Sequence, residues 1–532
     1  MRIALLFPPS MPPTSPPCGI SYLKAFIGCG KPFDLNLAYY ETAVQKLTEG
    51  VLPVEADMQG FVLGPEHLGE AVDFLKGRKG DFFDREDYNR NVRIFFSYFK
   101  KINNYIKEEC MKYLFKASAD DEVLHFIDQL LSPVKQYHPD VVGFSQMVLS
   151  QREFILGLAK RLKVEDIPIV VGGASLSQSP ECYLSVVGTQ TKVDLSEVFD
   201  AAFYGEGELP LKAYLDGENL EKVTNVAYKR GNEIIKNEES GLKDLDILPV
   251  PDFEDYSLED YYGPATVLPL LTSRGCYWMR CTFCVHHKSY YRYRTRSVEK
   301  VVADLKELQK RYSVHYFVFA DEMIHPKRFD RLSSEISKEG LDIRYYSEVK
   351  PTKDFTARLL GRMYDSGARA LLWGVESGTQ RVLDVIDKGT TVPDIESVLK
   401  DSHDTGIWNM IFMIMGYPTQ TDKEVEEDIA FLLKNEPYIS TFAKSLFQLE
   451  KGSIIYENPE KFGITEIGEN PDPFSAVCRY TVSEGLSNKE ANLIYRKNAG
   501  KLKTLSKISP YFGKLRDHML LFADHESENP IQ

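Results

Sequence analysis

Three cysteines, Cys276, Cys281 and Cys284, fall within nine residues of the string Ser273-Arg274-Gly275-Cys276-Tyr277-Trp278-Met279-Arg280-Cys281-Thr282-Phe283-Cys284. Three thiolates on one short loop can hold three corners of a four-iron, four-sulfur cluster and leave the fourth iron open to chelation by a small molecule. An open metal corner is an arrangement for catalysis. The same text also reads as a zinc knuckle, with His286 or His287 as the fourth donor, or as buried thiols in an apolar turn.

The loop follows the apolar run Val267 to Leu271, the first of six predicted strands. The others are Tyr316 to Phe319, Ile343 to Ser347, Ala370 to Gly374, Met410 to Met415 and Phe442 to Leu449. Helical text separates them: Val298 to Arg311, Arg328 to Lys338, Thr356 to Ser366, Gln380 to Ile386, Pro393 to Thr405 and Asp422 to Asn435. Six strand–helix repeats with right-handed crossovers predict a partial parallel (β/α)6 barrel over 266–455, open on one side. Such barrels gather their reacting groups at the carboxyl ends of the strands. Those ends carry Asp321 and Glu322, then Glu348 and Lys350, then Glu376 and Ser377, then Met415 and Gly416. Taken singly, each acid is a helix cap or an ion-pair partner; recurrence at successive strand ends points to one shared site.

Residues 1–215 alternate in the same way, with strands at Ile3 to Phe7, Phe33 to Ala38, Val141 to Ser145, Ile167 to Val171 and Ala201 to Tyr204. The fold class is therefore α/β: an N-terminal doubly wound, Rossmann-like sheet whose ligands bind beyond the strands' carboxyl ends, followed by the barrel. Charge-rich helical text at about 45–130 reads as an insertion. Residues 216–265, polar and holding Pro249, Pro251 and Pro264, read as a linker, and 456–532 as a helical C-terminal region.

A chain of 532 residues exceeds what one core supports, and 43% apolar and 12% aromatic content is ample for burial. A formal charge of −14 argues against nucleic acid or an anionic membrane as a general partner. Lys288 to Arg296 is a local exception, a basic run among tyrosines that reads as the rim of the site. The other cysteines, Cys18, Cys29, Cys110, Cys182 and Cys478, are scattered and form no disulfide framework, which implies a reducing cytoplasm. The first apolar run stops at Pro8-Pro9, too short for a signal peptide, and no stretch approaches the roughly 20 apolar residues of a spanning helix.

The C-x4-C-x2-C loop, followed in order by these strand-end motifs, resembles the radical S-adenosylmethionine superfamily, whose usual loop is C-x3-C-x2-C. The extra residue requires a bulge within Tyr277 to Arg280. The resemblance implies that Cys276, Cys281 and Cys284 ligate a 4Fe-4S cluster and that Phe283 packs near the adenine of S-adenosylmethionine. It places Asp321 and Glu322 at the amine-binding position and Glu376-Ser377-Gly378 at the ribose or carboxylate. Met415 and Gly416 would lie at the adenine, with Glu348 and Lys350 as carboxylate or hydroxyl contacts. The first domain resembles the cobalamin-binding module of the same superfamily through Gly19, Ser145, Gly172 and Gly173. Its first loop, Pro8 to Gly19, lacks a histidine, which fits cobalamin held without a lower histidine ligand, the favoured reading, and also fits a module that has lost cobalamin.

Together the two domains resemble cobalamin-dependent, class B methyltransferase-like radical enzymes. The implied reaction is methylation of an unactivated carbon of a peptide or natural-product intermediate through a 5′-deoxyadenosyl radical, with a flavodoxin- or ferredoxin-type electron donor. The alternatives are a non-methylating radical enzyme catalysing ring contraction, cyclisation, epimerisation or peptide cross-linking, and a non-enzymatic cobalamin-binding regulator.

Overall fold

Ile3–Phe7 (β1) is apolar and buried at every position, the pattern of a strand covered on both faces. In the computed structural model, which describes residues 1–529 other than 59–60, 117–118, 178, 188–191, 287–290, 469, 471 and 473, β1 lies between Gly30–Asp34 (β2) and Val141–Ser145 (β3), both parallel to it. Ile169–Gly172 (β4) and Ala201–Phe203 (β5) extend the parallel sheet. The order β2-β1-β3-β4-β5 reverses direction between β1 and β3, and sheets of this kind bind ligands beyond the carboxyl ends of the strands at such a switch point. These strands belong to the first of two compact units, Met1–Leu242 with Ile247–Thr266 and Asp472–Phe474; Lys243–Asp246, Val267–Pro471 and Ser475–Gln532 form the second.

Two sequence expectations need correction in the first unit. The second strand ends at Asp34 rather than Ala38, because the Asp34 carboxylate accepts the Leu37 N–H and starts the helix Leu35–Thr48. The linker expected at 216–265 contains a hairpin. Val226–Arg230 (β6) and Glu233–Lys236 (β7) join the sheet antiparallel beside β5, turning through Gly231-Asn232 with Gly231 at φ +61°. The polar outer strand hid a turn signal that was legible. The helical insertion is present as Pro65–Leu75, Arg85–Lys116 and Asp121–Gln136, with a small hairpin of Ala56–Met58 and Phe61–Leu63 before them. Its aromatic residues join the unit's core: Phe99 lies 4.3 Å from Tyr40, centroid to centroid, and Phe126 lies 5.7 Å from Tyr39.

The second unit is built on Val267–Leu270 (β8), Tyr316–Phe319 (β9), Arg344–Val349 (β10), Ala368–Glu376 (β11), Trp408–Met415 (β12) and Thr441–Leu446 (β13). Each pairs in parallel with the next in sequence, and the sheet ends at β8 and β13. The result is an open barrel of six strands. Successive residues of a strand face opposite ways: Tyr345 meets Ser366 beside the helix Ala357–Asp365 (α1), whereas Tyr346 donates to Asp517. Asp517 lies on the helix Arg516–Glu528 (α2), buried from Asp517 through Asp524, which packs on the strand face turned away from α1. Its register matches the strands it covers. Asp524 takes Tyr316, Arg344 and Arg369 near the strands' amino ends, and Arg516 pairs with Glu348 at the carboxyl end. Eight helical residues rise about 12 Å, close to the roughly 13 Å from Arg344 to Glu348 along an extended strand. The region expected to be wholly helical also holds a small antiparallel sheet of Leu449–Glu450, Ile464–Gly468 and Val477–Val482. Among the described residues no helix is long and apolar enough to cross a membrane.

Candidate functional site

The cysteine loop leaves the carboxyl end of β8 and is closed at its base. Ser273–Arg274 pairs antiparallel with Arg294–Thr295. Behind this closure the fully buried Arg296 donates to Leu271 O and pairs with the buried Asp304. Gly275 takes φ +81°, and a Cβ there would lie 3.0 Å from Arg292 O, so a side chain would force the two limbs apart. Two peptide N–H groups point at sulfur, Trp278 to Cys276 Sγ and His286 to Cys284 Sγ, each at 3.4 Å. Burial pushes the Cys281 thiol up and the Cys284 thiol up to about 12. Both cysteines lack a disulfide partner, as does Cys276. Among the described residues no three His, Cys, Asp or Glu side chains converge as one metal ion requires. The thiolates of a cubane cluster bind three different irons and do not share a point. Met279 sits at φ +52°, so the chain turns left-handed inside the stretch where the extra residue requires a bulge. Phe283 and Cys281 pack against an apolar cluster that includes Ile386, Tyr417 and Ile455. His287 and the start of the basic run, residues 288–290, lie outside the described residues.

The strand ends divide into groups that anchor and groups that remain available. Asp321 is buried and accepts from the Thr272 N–H, the Thr272 hydroxyl and the Ser273 hydroxyl. It ties β9 to the start of the cysteine loop. Glu322 meets His286 Nδ1 at 2.9 Å. Burial raises Glu348, with Arg516 working against the rise. Lys350, next along the chain after β10, is 1% exposed. No carboxylate pairs with it among the described residues; its Nζ rests 3.2 Å from the centre of the Trp278 ring. Burial and the neighbouring Lys388 pull its pKa down to about 8.

A second pair of strand ends is joined by residues that no sequence pattern indicated. Glu376, at φ +70° beside a bulge in β11, meets the buried Lys388 at 2.8 Å. Ser377 does not face outward: its hydroxyl and the Gly378 N–H both donate to Asp428 Oδ1, at 2.7 and 2.6 Å. Gln420 donates to the other oxygen of Asp428 and accepts the Gly416 N–H at 2.8 Å. Asp428 and Gln420 therefore fix the turn after β11 and the Met415-Gly416 turn after β12 as one piece. At Gly416, φ +73°, a Cβ would lie 2.9 Å from Asn488 Oδ1.

Burial holds the Asp428 carboxyl up at about 6, its hydrogen bonds opposing, against an ordinary 3.8. The folded chain binds this proton more tightly than the unfolded chain. Stability from this group is therefore greatest at low pH and is lost as the pH rises from about 4 to 6. Two pH units correspond to about 3 kcal/mol. Relative to Asp428→Asn, the wild-type chain is expected to gain about that much when the pH falls from 7 to 4, read by urea denaturation of both proteins.

In the first unit, Ser145 ends β3 and is half-buried, beside Gly172 of β4. Gly172 and Gly173, expected to make room for a nucleotide tail, have a packing reason within the fold. A Cβ on Gly173, φ +113°, would lie 2.3 Å from Gln146 O, and one on Gly172 would lie 3.3 Å from Phe203 O. Gly19 differs: a Cβ there meets nothing within 4 Å, so open space lies beside it.

Residues 270–432 match the Radical SAM superfamily. Over 313 residues the chain is 27% identical to an uncharacterized methyltransferase of Pyrococcus horikoshii, covering 57% of this chain and 65% of that protein. It is 27% identical over 317 residues to the anaerobic magnesium-protoporphyrin IX monomethyl ester cyclase of Rubrivivax gelatinosus, 56% of this chain and 55% of the cyclase. The chain thus spans less than two thirds of these relatives' lengths. In fold it is similar to TsrM of Kitasatospora setae, a radical S-adenosylmethionine methyltransferase solved with cobalamin and a 4Fe-4S cluster bound, with a TM-score of 0.56, 15% identity and coverage of 90% of this chain and 88% of that one.

Proposed function

We propose, from the match of residues 270–432 to the Radical SAM superfamily, that the chain is a cobalamin-dependent radical S-adenosylmethionine enzyme that methylates an unactivated carbon of a peptide or natural-product intermediate. One observation carries the reading: a loop of three thiols, two of them receiving peptide N–H groups, stands at the carboxyl end of an open six-stranded barrel beside a buried ammonium that pairs with no carboxylate among the described residues. Fold similarity over most of the chain to a methyltransferase that holds cobalamin and a cluster supports it.

The residues present fit the groups they would hold. Cys276, Cys281 and Cys284 supply three soft donors to the cluster. Glu322 would receive the ammonium of S-adenosylmethionine and Lys350 its carboxylate, and Phe283 and the Met415-Gly416 turn would serve the adenine. Asp321, Ser377 and Asp428 hold these positions rather than touch the nucleotide. In the first unit Ser145 ends β3 and Gly19 stands in the first turn of the helix Cys18–Ile27 that follows β1, the two strands beyond whose carboxyl ends a sheet of this order would hold its ligand. When bound, the cluster and S-adenosylmethionine supply reductive cleavage of a sulfonium carbon–sulfur bond, and cobalamin supplies a methyl group. The chain's own part is to orient the nucleotide, exclude water and accept an electron from a small reducing donor protein.

Anaerobic reconstitution with iron, sulfide and cobalamin, followed by mass spectrometry of products from S-adenosylmethionine, tests the reading. Methyl transfer is expected to give 5′-deoxyadenosine and S-adenosylhomocysteine together. Deoxyadenosine alone would instead favour a non-methylating reaction, as the cyclase among the relatives suggests. A charge-assisted hydrogen bond contributes about 1.5–3 kcal/mol. Lys350→Met is therefore expected to weaken S-adenosylmethionine binding roughly 10- to 100-fold, measured by equilibrium dialysis of the reconstituted protein.

A further inference from the structure

Between Cys276 and Cys281, Tyr277 packs against Tyr293 and His325, while Trp278 and Arg280 are tied to one place, the turn that follows the helix Gln380–Ile386. Trp278 Nε1 donates to Asp387 O at 2.7 Å, and Arg280 pairs with the Asp387 carboxylate at 2.9 Å. The indole lies against Gly389, where a Cβ would come within 2.1 Å of it. The Arg280 guanidinium and the Lys350 ammonium both approach the ring of Trp278, at 5.0 and 3.2 Å from its centre. Just beyond Cys281, the Thr282 N–H reaches Ile386 O at 2.8 Å. Met279, between Trp278 and Arg280, is left-handed at φ +52°, and the side chains on either side of it reach the same aspartate. The turn is shaped to receive them, with Asp387 at φ +56° and Gly389 at φ +63°.

We propose that Trp278, Met279 and Arg280 form a latch docked on Ile386–Gly389, and that Trp278 is a positioning residue that holds its own peptide N–H on Cys276 Sγ. The inference rests on the cluster reading and extends it, since the residue by which this loop exceeds C-x3-C is spent on the latch. An N–H group on a ligand sulfur stabilises the more negative, reduced cluster and raises its potential. Loosening the latch frees the Trp278 peptide, and that contribution is lost. A residue serving only to stabilise the fold would change the melting temperature and leave the potential alone.

The test is a redox titration of anaerobically reconstituted protein followed by electron paramagnetic resonance, with iron content measured alongside. Trp278→Phe keeps a ring and removes the indole N–H; Gly389→Ala drives a methyl into the indole's position. Both are expected to retain wild-type iron, to shift the cluster's midpoint to more negative potential and to alter its resonance. Arg280→Lys, which preserves the pairing with Asp387, is expected to stay close to wild type. If Gly389→Ala does not fold, Trp278→Phe decides alone. Wild-type iron with an unchanged midpoint overturns the latch and leaves the cluster reading standing. A wild-type chain that takes up no iron overturns the cluster reading, and the latch falls with it.

Discussion

Reconstituted Cys281→Ala protein is expected to yield neither 5′-deoxyadenosine nor S-adenosylhomocysteine, a fall of roughly 10⁶-fold or more, since an enzyme's whole acceleration is at stake. The expectation follows from the donor set. Cys281 sits at the centre of the loop, with its sulfur half-buried against apolar side chains, and a methyl in its place offers a metal nothing. His286, the histidine described beside the loop, is engaged with Glu322. Iron content and the visible absorption of the cluster are expected to fall with the products. Cys29→Ala supplies the control: Cys29 is exposed, unpaired by disulfide and in the first unit, so its replacement is expected to leave iron and both products unchanged. Turnover retained by Cys281→Ala would refute the ligand assignment outright.

Elements with a strong local period were readable from the text. All six barrel strands announce themselves by apolar runs between amphipathic helices, and they occur in the expected order. What escaped was whatever depends on residues far apart in the chain. Asp321 stands where a ligand-binding acid was expected, yet its carboxylate is occupied by Thr272 and Ser273, almost fifty residues earlier. Ser377 looked outward in the sequence and turns inward because Asp428, on another helix, accepts its proton. Lys388 follows Asp387 in what reads as an ordinary helix end, and only the approach of β11 gives it Glu376. The helix Arg516–Glu528, read only as part of a helical C-terminal region, carries acids among apolar residues; Arg344 and Arg369 on the strands neutralise Asp524, which lets it lie buried. Such pairings leave no local trace, since each partner alone resembles a solvated charge.

The Lys388–Glu376 pair carries the largest expected effect on stability. Lys388 is 2% exposed and Glu376 8%, and their charged groups lie 2.8 Å apart. Burial works against the ammonium, but Glu376 and the Cys281 sulfur nearby outweigh it and its pKa is raised. Its share of stability is thus complete below the ordinary value of 10.5 and is lost only as the pH rises beyond it. Removing one member of a buried pair strands the other's charge, which costs about 3–5 kcal/mol. Lys388→Met is therefore expected to lower the melting temperature by roughly 6–20 °C at neutral pH, taking 2–4 °C for each kcal/mol in a unit of this size. Replacing both, Lys388→Met with Glu376→Leu, removes the stranded charge and is expected to restore most of the loss, since apolar residues of similar volume often match or exceed a buried pair. The comparison separates the charge from the packing. A double variant that melts as low as the single one would show that the ammonium's methylenes, wedged beside Gly374 with Nζ only 2.8 Å from where a Cβ would stand, matter more than its charge.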